Sequence, residues 1–234
     1  MTELILEEQR QLAKRGQAAA QFQLACMYDE GALCRRNLSE SVRWFKQAAK
    51  QSHDGAQLYL GIMYKEGKGV GKSDKQALSW FTEAANNGNA QAQFNLGVAY
   101  YQGGAGIEKG IDNALLWLEK AALQEHPLAC FYLGREYYYG ENVTRDIDRA
   151  FKLMEVAALQ KIVDAQHDLG LMYSMMPSEE KYRVNSVVWL QIAADSKVGG
   201  YQVIKNQLCE QLKLSRSEIG AVNALLKELR RKLA

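Results

Sequence analysis

Gly67-Lys-Gly-Val-Gly71-Lys72-Ser73 is the segment of this chain nearest to a phosphate cradle. A P-loop follows a strand, and it needs a glycine five residues ahead of its Gly-Lys-Ser glycine. That position is Glu66, and the preceding pattern is helical. ATP binding is not expected. His126 and Cys130 stand four apart, a spacing that places both on one helix face. A Cys–His nucleophile also needs a group that orients the base. His126-Pro127 reads as a turn, and Cys130 takes the place that Gln57 and Gln93 hold elsewhere, so a catalytic role is not expected. Ser178-Glu-Glu-Lys181 has the Ser-x-x-Lys spacing of a lysine-activated serine, without the Ser-Asp-Asn and Lys-Thr-Gly partners such a site uses. Cys26, Cys34, Cys130 and Cys209 form no Cys-x-x-Cys pair, and no His-x3–5-His accompanies them, so no metal site is expected. No catalytic residue and no cofactor is expected.

The elements behind these motifs are repeats. Ala20-Gln-Phe-Gln-Leu24-Ala-Cys-Met-Tyr28 returns as Ala56-Gln-Leu-Tyr-Leu60-Gly-Ile-Met-Tyr64. It returns again from Ala92 to Tyr100, from Ala129 to Tyr137 and from Ala165 to Tyr173. Similarity at a fixed period of about 36 residues signals a solenoid of helical pairs. In the first helix of a repeat, Ala56, Leu60 and Tyr64 make one apolar stripe. Gly61 lies beside it and recurs as Gly97, Gly134 and Gly170, which predicts close helix–helix approach. Ser73 with Gln76 reads as a capping box that opens the second helix. The second helix carries an Ala-Ala pair at Ala48/Ala49, Ala84/Ala85, Ala121/Ala122, Ala157/Ala158 and Ala193/Ala194. A large residue precedes each pair: Trp44, Trp80, Trp117, Leu153 and Trp189. These are expected to be core wedges. His167 replaces an apolar residue, and a half-buried, hydrogen-bonded histidine is expected there.

Composition narrows the function classes. The formal net charge is +2, which gives no electrostatic case for nucleic acid. No apolar run nears the ~18 residues of a membrane span. The acidic start, with Glu3, Glu7 and Glu8, is unlike a signal peptide. The cysteines do not recur with the repeat, which fits free thiols in a reducing compartment. Cytoplasmic placement is the expectation.

The pattern A-x3-L-G-x2-Y, G-x-G-V, D-x2-A-x2-W and A-A-x2-G resembles the Sel-one-like repeat, a relative of the tetratricopeptide repeat. The second copy carries it through Ala56, Leu60, Gly61, Tyr64, Gly67, Gly69, Val70, Asp74, Ala77, Trp80, Ala84, Ala85 and Gly88. Two copies depart from it: the third inserts a residue in Gly103-Gly-Ala-Gly106, and the fifth has Ser174-Met-Met-Pro177-Ser-Glu-Glu in place of its glycine loop. The resemblance implies an all-α fold, an α/α right-handed superhelix. It implies a non-enzymatic bacterial scaffold or adaptor that binds a peptide or protein in a concave groove. A narrower alternative is an effector or immunity-type protein that binds one toxic or foreign protein, and an enzyme is the rival class. The expected organisation is an N-terminal capping half-repeat over 1–17, five repeats over 18–198 and C-terminal capping helices over 199–234. A final capping box is read at Ser215-Arg-Ser-Glu218, and Lys227, Arg230, Arg231 and Lys232 are read as complementing the last helix's dipole. A monomer is expected.

In related superhelices the first helices line the concave face. Tyr59, Tyr101, Tyr132, Tyr138 and Tyr139 stand on first helices, off the packed stripe. With Asn95, Arg135 and Asp168 they make the candidate partner-binding set. Consecutive repeats would set Tyr101 and Gln102 beside Arg135, Tyr138 and Tyr139. Tyrosine and arginine pair large contact area with polar tips, as binding hot spots do. The competing expectation is that some of these rings pack between repeats.

Overall fold

The computed structural model describes residues 2–103, 107–176, 179–196 and 200–233. Within them the chain forms thirteen α-helices. Its contacts divide into two compact units, Met1–Gln124 and Glu125–Ala234. The first holds α1 (Thr2–Lys14), α2 (Ala18–Glu30), α3 (Leu38–Ala49), α4 (Asp54–Glu66), α5 (Asp74–Asn86), α6 (Ala90–Gln102) and α7 (Ile111–Ala122). The second holds α8 (Pro127–Tyr139), α9 (Ile147–Leu159), α10 (Val163–Ser174), α11 (Glu180–Asp195), α12 (Tyr201–Leu212) and α13 (Arg216–Leu233). Residues 104–106 of the third loop and 177–178 of the fifth, Ser178 of the Ser-x-x-Lys spacing among them, lie outside the described residues.

The first four hairpins close on a shared local hydrogen bond. The first helix ends on a left-handed glycine at Gly31, Gly67 and Gly140, where the absence of Cβ removes the steric cost. The N–H of Asn37, Ser73, Gly110 or Asp146 then donates to the carbonyl of Tyr28, Tyr64, Tyr100 or Tyr137, at 2.8–3.0 Å. Those four residues are the N-caps of the second helices. Ser73 Oγ accepts from Gln76 N–H at 3.3 Å. The Ser73 N–H is taken by Tyr64, so the Gln76 arm of a reciprocal box has no donor to reach.

The recurring glycines are where the paired helices touch. A Cβ built on Gly61 would lie 2.5 Å from the Phe81 ring; on Gly97, 2.9 Å from Leu118 Cγ; on Gly134, 3.0 Å from Met154 Cγ; on Gly170, 2.7 Å from Leu190 Cγ. The wedge that meets each glycine is thus the residue after the expected one. Phe81, Leu118, Met154 and Leu190 are buried, whereas Trp80, Trp117 and Leu153 are half-buried. One step along a helix is a turn of ~100°. It moves the side chain from the hairpin's own interface toward the neighbouring hairpin, and Trp80 packs against the cluster built on α1–α4. Trp44 and Trp189 are buried as expected.

A second recurring device is polar. Gln21, Gln57, Gln93 and Gln166 are buried. Their side chains donate to the carbonyls of Ala13, Ala49, Ala85 and Ala158 at 3.0–3.3 Å. In the first unit the same amides accept from Gln51, Asn87 and Gln124, each at 2.8 Å. The first set ties each glutamine's helix to the end of the helix before it, and the second ties that same helix to the turn that closes its own repeat.

At the C-terminal end, Ser215 and Glu218 form the expected capping box: Ser215 N–H donates to Glu218 at 2.7 Å and Ser215 Oγ accepts from Glu218 N–H at 3.3 Å. The Ser215 N–H and hydroxyl, with Arg183 nearby, hold the Glu218 carboxyl below the usual glutamate range. Arg183 reaches Glu218 at 2.9 Å and the Leu212 carbonyl at 2.8 Å, which fastens α13 to α11. Arg230 also reaches α11, pairing with Asp195 at 2.7 Å. No helix of the described residues is long and apolar enough to cross a membrane.

Candidate partner-binding groove

α8 and α10 each present one polar-to-apolar face to a shared groove. Arg135, Tyr138 and Tyr139 stand at i, i+3 and i+4 on α8. Asp168, Leu171 and Met172 do the same on α10, and Met175 follows one turn later. Residues at these spacings are neighbours on a helix surface. Together with Met154 of α9 and Arg145 they line a cavity of about 470 Å³, within the usual range of small binding pockets. Met154 and Met172 are buried and make the floor, while Met175 is 77% exposed at the rim.

The polar groups sit at the groove's edges. Arg135 Nε lies 3.8 Å from Asp168 Oδ2, and its guanidinium lies 5.9 Å from the Tyr139 ring centre. Tyr138 and Tyr139 meet edge to face at 5.2 Å. Arg145 covers the Tyr138 ring at 5.8 Å and donates from Nε to the Tyr138 carbonyl at 3.0 Å. Four of the eight candidate residues are therefore brought together: Arg135, Tyr138, Tyr139 and Asp168. Tyr132 lies on the same helix but is not among the lining residues; its ring meets Phe131 edge-on at 5.8 Å. Tyr59, Asn95 and Tyr101 belong to the first unit. There Tyr59 stacks on Phe45 at 5.2 Å and meets Phe22 at 5.7 Å, the packing between repeats that competes with a binding role. Asn95 accepts from Gln91 at 3.2 Å, and Lys109 stands 5.9 Å over the Tyr101 ring.

Sequence reasoning missed the groove's apolar floor. Leu171, Met172 and Met175 were legible as one face with Asp168. Met154 and Arg145 come from the second helix and the loop, which periodicity within one helix does not connect.

His126 and Cys130 sit in structural settings. His126 Nδ1 accepts from Ala129 N–H at 3.3 Å and so caps α8, with Pro127 at the first helical position. Burial holds the His126 imidazolium form back and pushes the Cys130 thiol up to about 11. A thiol of that kind is the opposite of an activated nucleophile. His167 is half-buried, within 3.2 Å of Asp168 and stacked on Tyr201 at 4.4 Å. Among the described residues no cluster of His, Cys, Asp or Glu is arranged to hold a metal ion.

Fold and site together define a protein of the all-α, α/α-superhelix class, a solenoid of helix–turn–helix repeats. The Sel1 repeat model matches residues 18–53, 55–89, 90–126, 127–161 and 163–176. The chain belongs to the Sel1 repeat family. The match stops at 176, where the fifth repeat loses the glycine loop. Among solved structures, the chain is 30% identical to a Sel1 repeat protein from Oxalobacter formigenes, with a TM-score of 0.75, covering 88% of this chain and 58% of that one. It is 25% identical to c5321, a protective antigen of uropathogenic Escherichia coli strains displaying an SLR fold, with a TM-score of 0.67, covering 97% of this chain and 56% of that one. The chain thus spans less than two-thirds of either protein. Its 19% identity to the immunity protein PA5088 from Pseudomonas aeruginosa, at a TM-score of 0.51 and covering 91% of this chain and 83% of that one, is a likeness of fold. No curated protein matches the chain. Sel1 repeat proteins generally mediate protein–protein interaction.

Proposed function

We propose that this chain is a non-enzymatic protein-interaction module of a bacterial cytoplasm and that the α8–α10 groove is its docking site. The observation that carries the reading is the convergence of Arg135, Tyr138, Tyr139 and Asp168 on one groove with an apolar floor. Aromatic and arginine side chains around a desolvated pocket are the composition of binding hot spots. The partner is a protein or peptide; the near-neutral net charge of +2 offers no footprint for nucleic acid.

The test is a tagged pull-down to identify the partner, followed by titration calorimetry on the purified pair. Replacing Arg135, Tyr138 and Tyr139 together with Ala should weaken that affinity by at least ~2 kcal/mol while the far-UV helical signal stays. A folded triple variant with unchanged affinity would show that the docking surface lies elsewhere.

A further inference from the structure

The repeats of this chain serve as internal references for one another. Arg36, Lys72, Lys109 and Arg145 occupy the same loop position, beside Gly31, Gly67, Gly103 and Gly140. In the first repeat, Arg36 Nε–H donates to the Asp29 carbonyl at 2.7 Å. In the fourth, Arg145 Nε–H donates to the Tyr138 carbonyl at 3.0 Å. The two arginines share this contact, a cation bound to a helix C-terminus. The outer ends differ. Arg36 has the Asp29 carboxylate 3.9 Å from its NH2 group, and Asp29 also binds Lys68 at 2.8 Å. At the position of Asp29, the fourth repeat has Tyr138. Among the described residues no carboxylate pairs with Arg145; its contacts are the Tyr138 carbonyl and ring. Four of the five N–H donors of a guanidinium remain for a ligand once Nε–H is engaged.

That guanidinium opens onto the groove. Its other charges, Arg135 and Asp168, already face each other, so the groove carries one unmatched positive charge beside a thioether and aliphatic floor. Methionine floors adapt to varied apolar side chains, and an arginine fork recognises carboxylates. We infer that the groove takes a protein segment with a large apolar side chain next to an aspartate or glutamate. The apolar side chain lies over Met154, Leu171 and Met172, and the carboxylate binds Arg145. This rests on the groove being the docking site.

The experiment selects a phage-displayed random dodecapeptide library on the full chain. Parallel selections use Arg145→Glu, Arg145→Lys and the Arg135, Tyr138, Tyr139 triple Ala variant, each checked by circular dichroism. The wild type and Arg145→Lys should enrich a large apolar residue next to Asp or Glu. Arg145→Glu should lose that preference or turn it toward Lys and Arg. Changing the acidic residue of the enriched peptide to its amide should weaken binding to the wild type at least about tenfold, a readout that needs no protein variant to fold. Peptides that lose binding on the triple variant but carry no acidic residue would overturn this inference and leave the docking groove standing. Peptides that bind the triple variant equally well would overturn the groove itself. No enrichment on the wild type, or one acidic consensus on both wild type and Arg145→Glu, also overturns the inference.

Discussion

Gly170→Ala sets two opposing free energies against each other. Alanine in a helix interior is favoured over glycine by ~1 kcal/mol. The new Cβ would stand 2.7 Å from Leu190 Cγ and 3.0 Å from the Leu190 backbone nitrogen. Leu190 is fully buried. A rotamer change can move Cγ but not the backbone nitrogen, so α10 and α11 must separate by several tenths of an ångström. Overpacking of this kind costs ~1–3 kcal/mol. The net expectation is a loss of about 1 kcal/mol, or a Tm lower by ~2–4 °C for a chain of this size. Gly220 supplies the control within the same unit. It lies inside α13, is exposed, and a Cβ there meets nothing within 4 Å. Gly220→Ala should therefore gain ~0.5–1 kcal/mol from chain entropy alone. Thermal unfolding followed by far-UV circular dichroism reads both. Opposite signs of ΔTm are required; a Gly170→Ala protein that melts as high as Gly220→Ala would refute the close-packing argument.

Gly97→Leu, against Leu118 Cγ at 2.9 Å and the Ala114 carbonyl at 3.2 Å, should cost at least ~1–3 kcal/mol in urea titrations, and an unchanged midpoint would contradict it. Gln57→Leu removes the bond from Asn87 and the bond to the Ala49 carbonyl; a loss of ~1–3 kcal/mol is expected, and a neutral substitution would show that the glutamine ladder contributes nothing. Glu218 is held below the ordinary glutamate range in the folded state. Its stabilisation is therefore present above the ordinary value and lost as pH falls through the depressed one. Glu218→Gln should flatten the acid limb of the stability curve, and superimposable wild-type and variant limbs would argue against the cap. Burial pushes the Cys26 and Cys130 thiols up to about 11, so native protein at pH 8 should leave both unalkylated by iodoacetamide while unfolded protein reacts. Deleting residues 215–234 should expose the apolar surface under Val222, Leu226 and Leu229, and a truncated chain that stays soluble with an unchanged Tm would show that α13 is not a cap.

The helical pairs were legible because each apolar stripe recurs with the repeat, and one copy interprets the next. The glycines were legible as contact points for the same reason. Their opposing residues were not, because Trp80 and Phe81 are adjacent, both apolar and both aromatic. Only the rotational setting of α5 against α4 decides which of them meets Gly61. The buried glutamines were overlooked because composition marks glutamine as a surface residue, and their value lies in bonds to turns. In the candidate site, the repeat placed Arg135, Tyr138, Tyr139 and Asp168 on consecutive first helices, and the resemblance to related superhelices put them on one face. Arg145 and Met154 enter from a loop and a neighbouring helix, a tertiary relation that no single-helix period encodes.

The central claim is that partners dock in the α8–α10 groove. Site-specific photo-cross-linking tests it most directly. Benzoylphenylalanine would replace Tyr139, at the groove, or Leu116, an exposed residue of α7 in the first unit. With the partner identified by pull-down present, cross-linking from position 139 should be strong and cross-linking from position 116 absent. A partner that cross-links from position 116 and not from 139 would contradict the account.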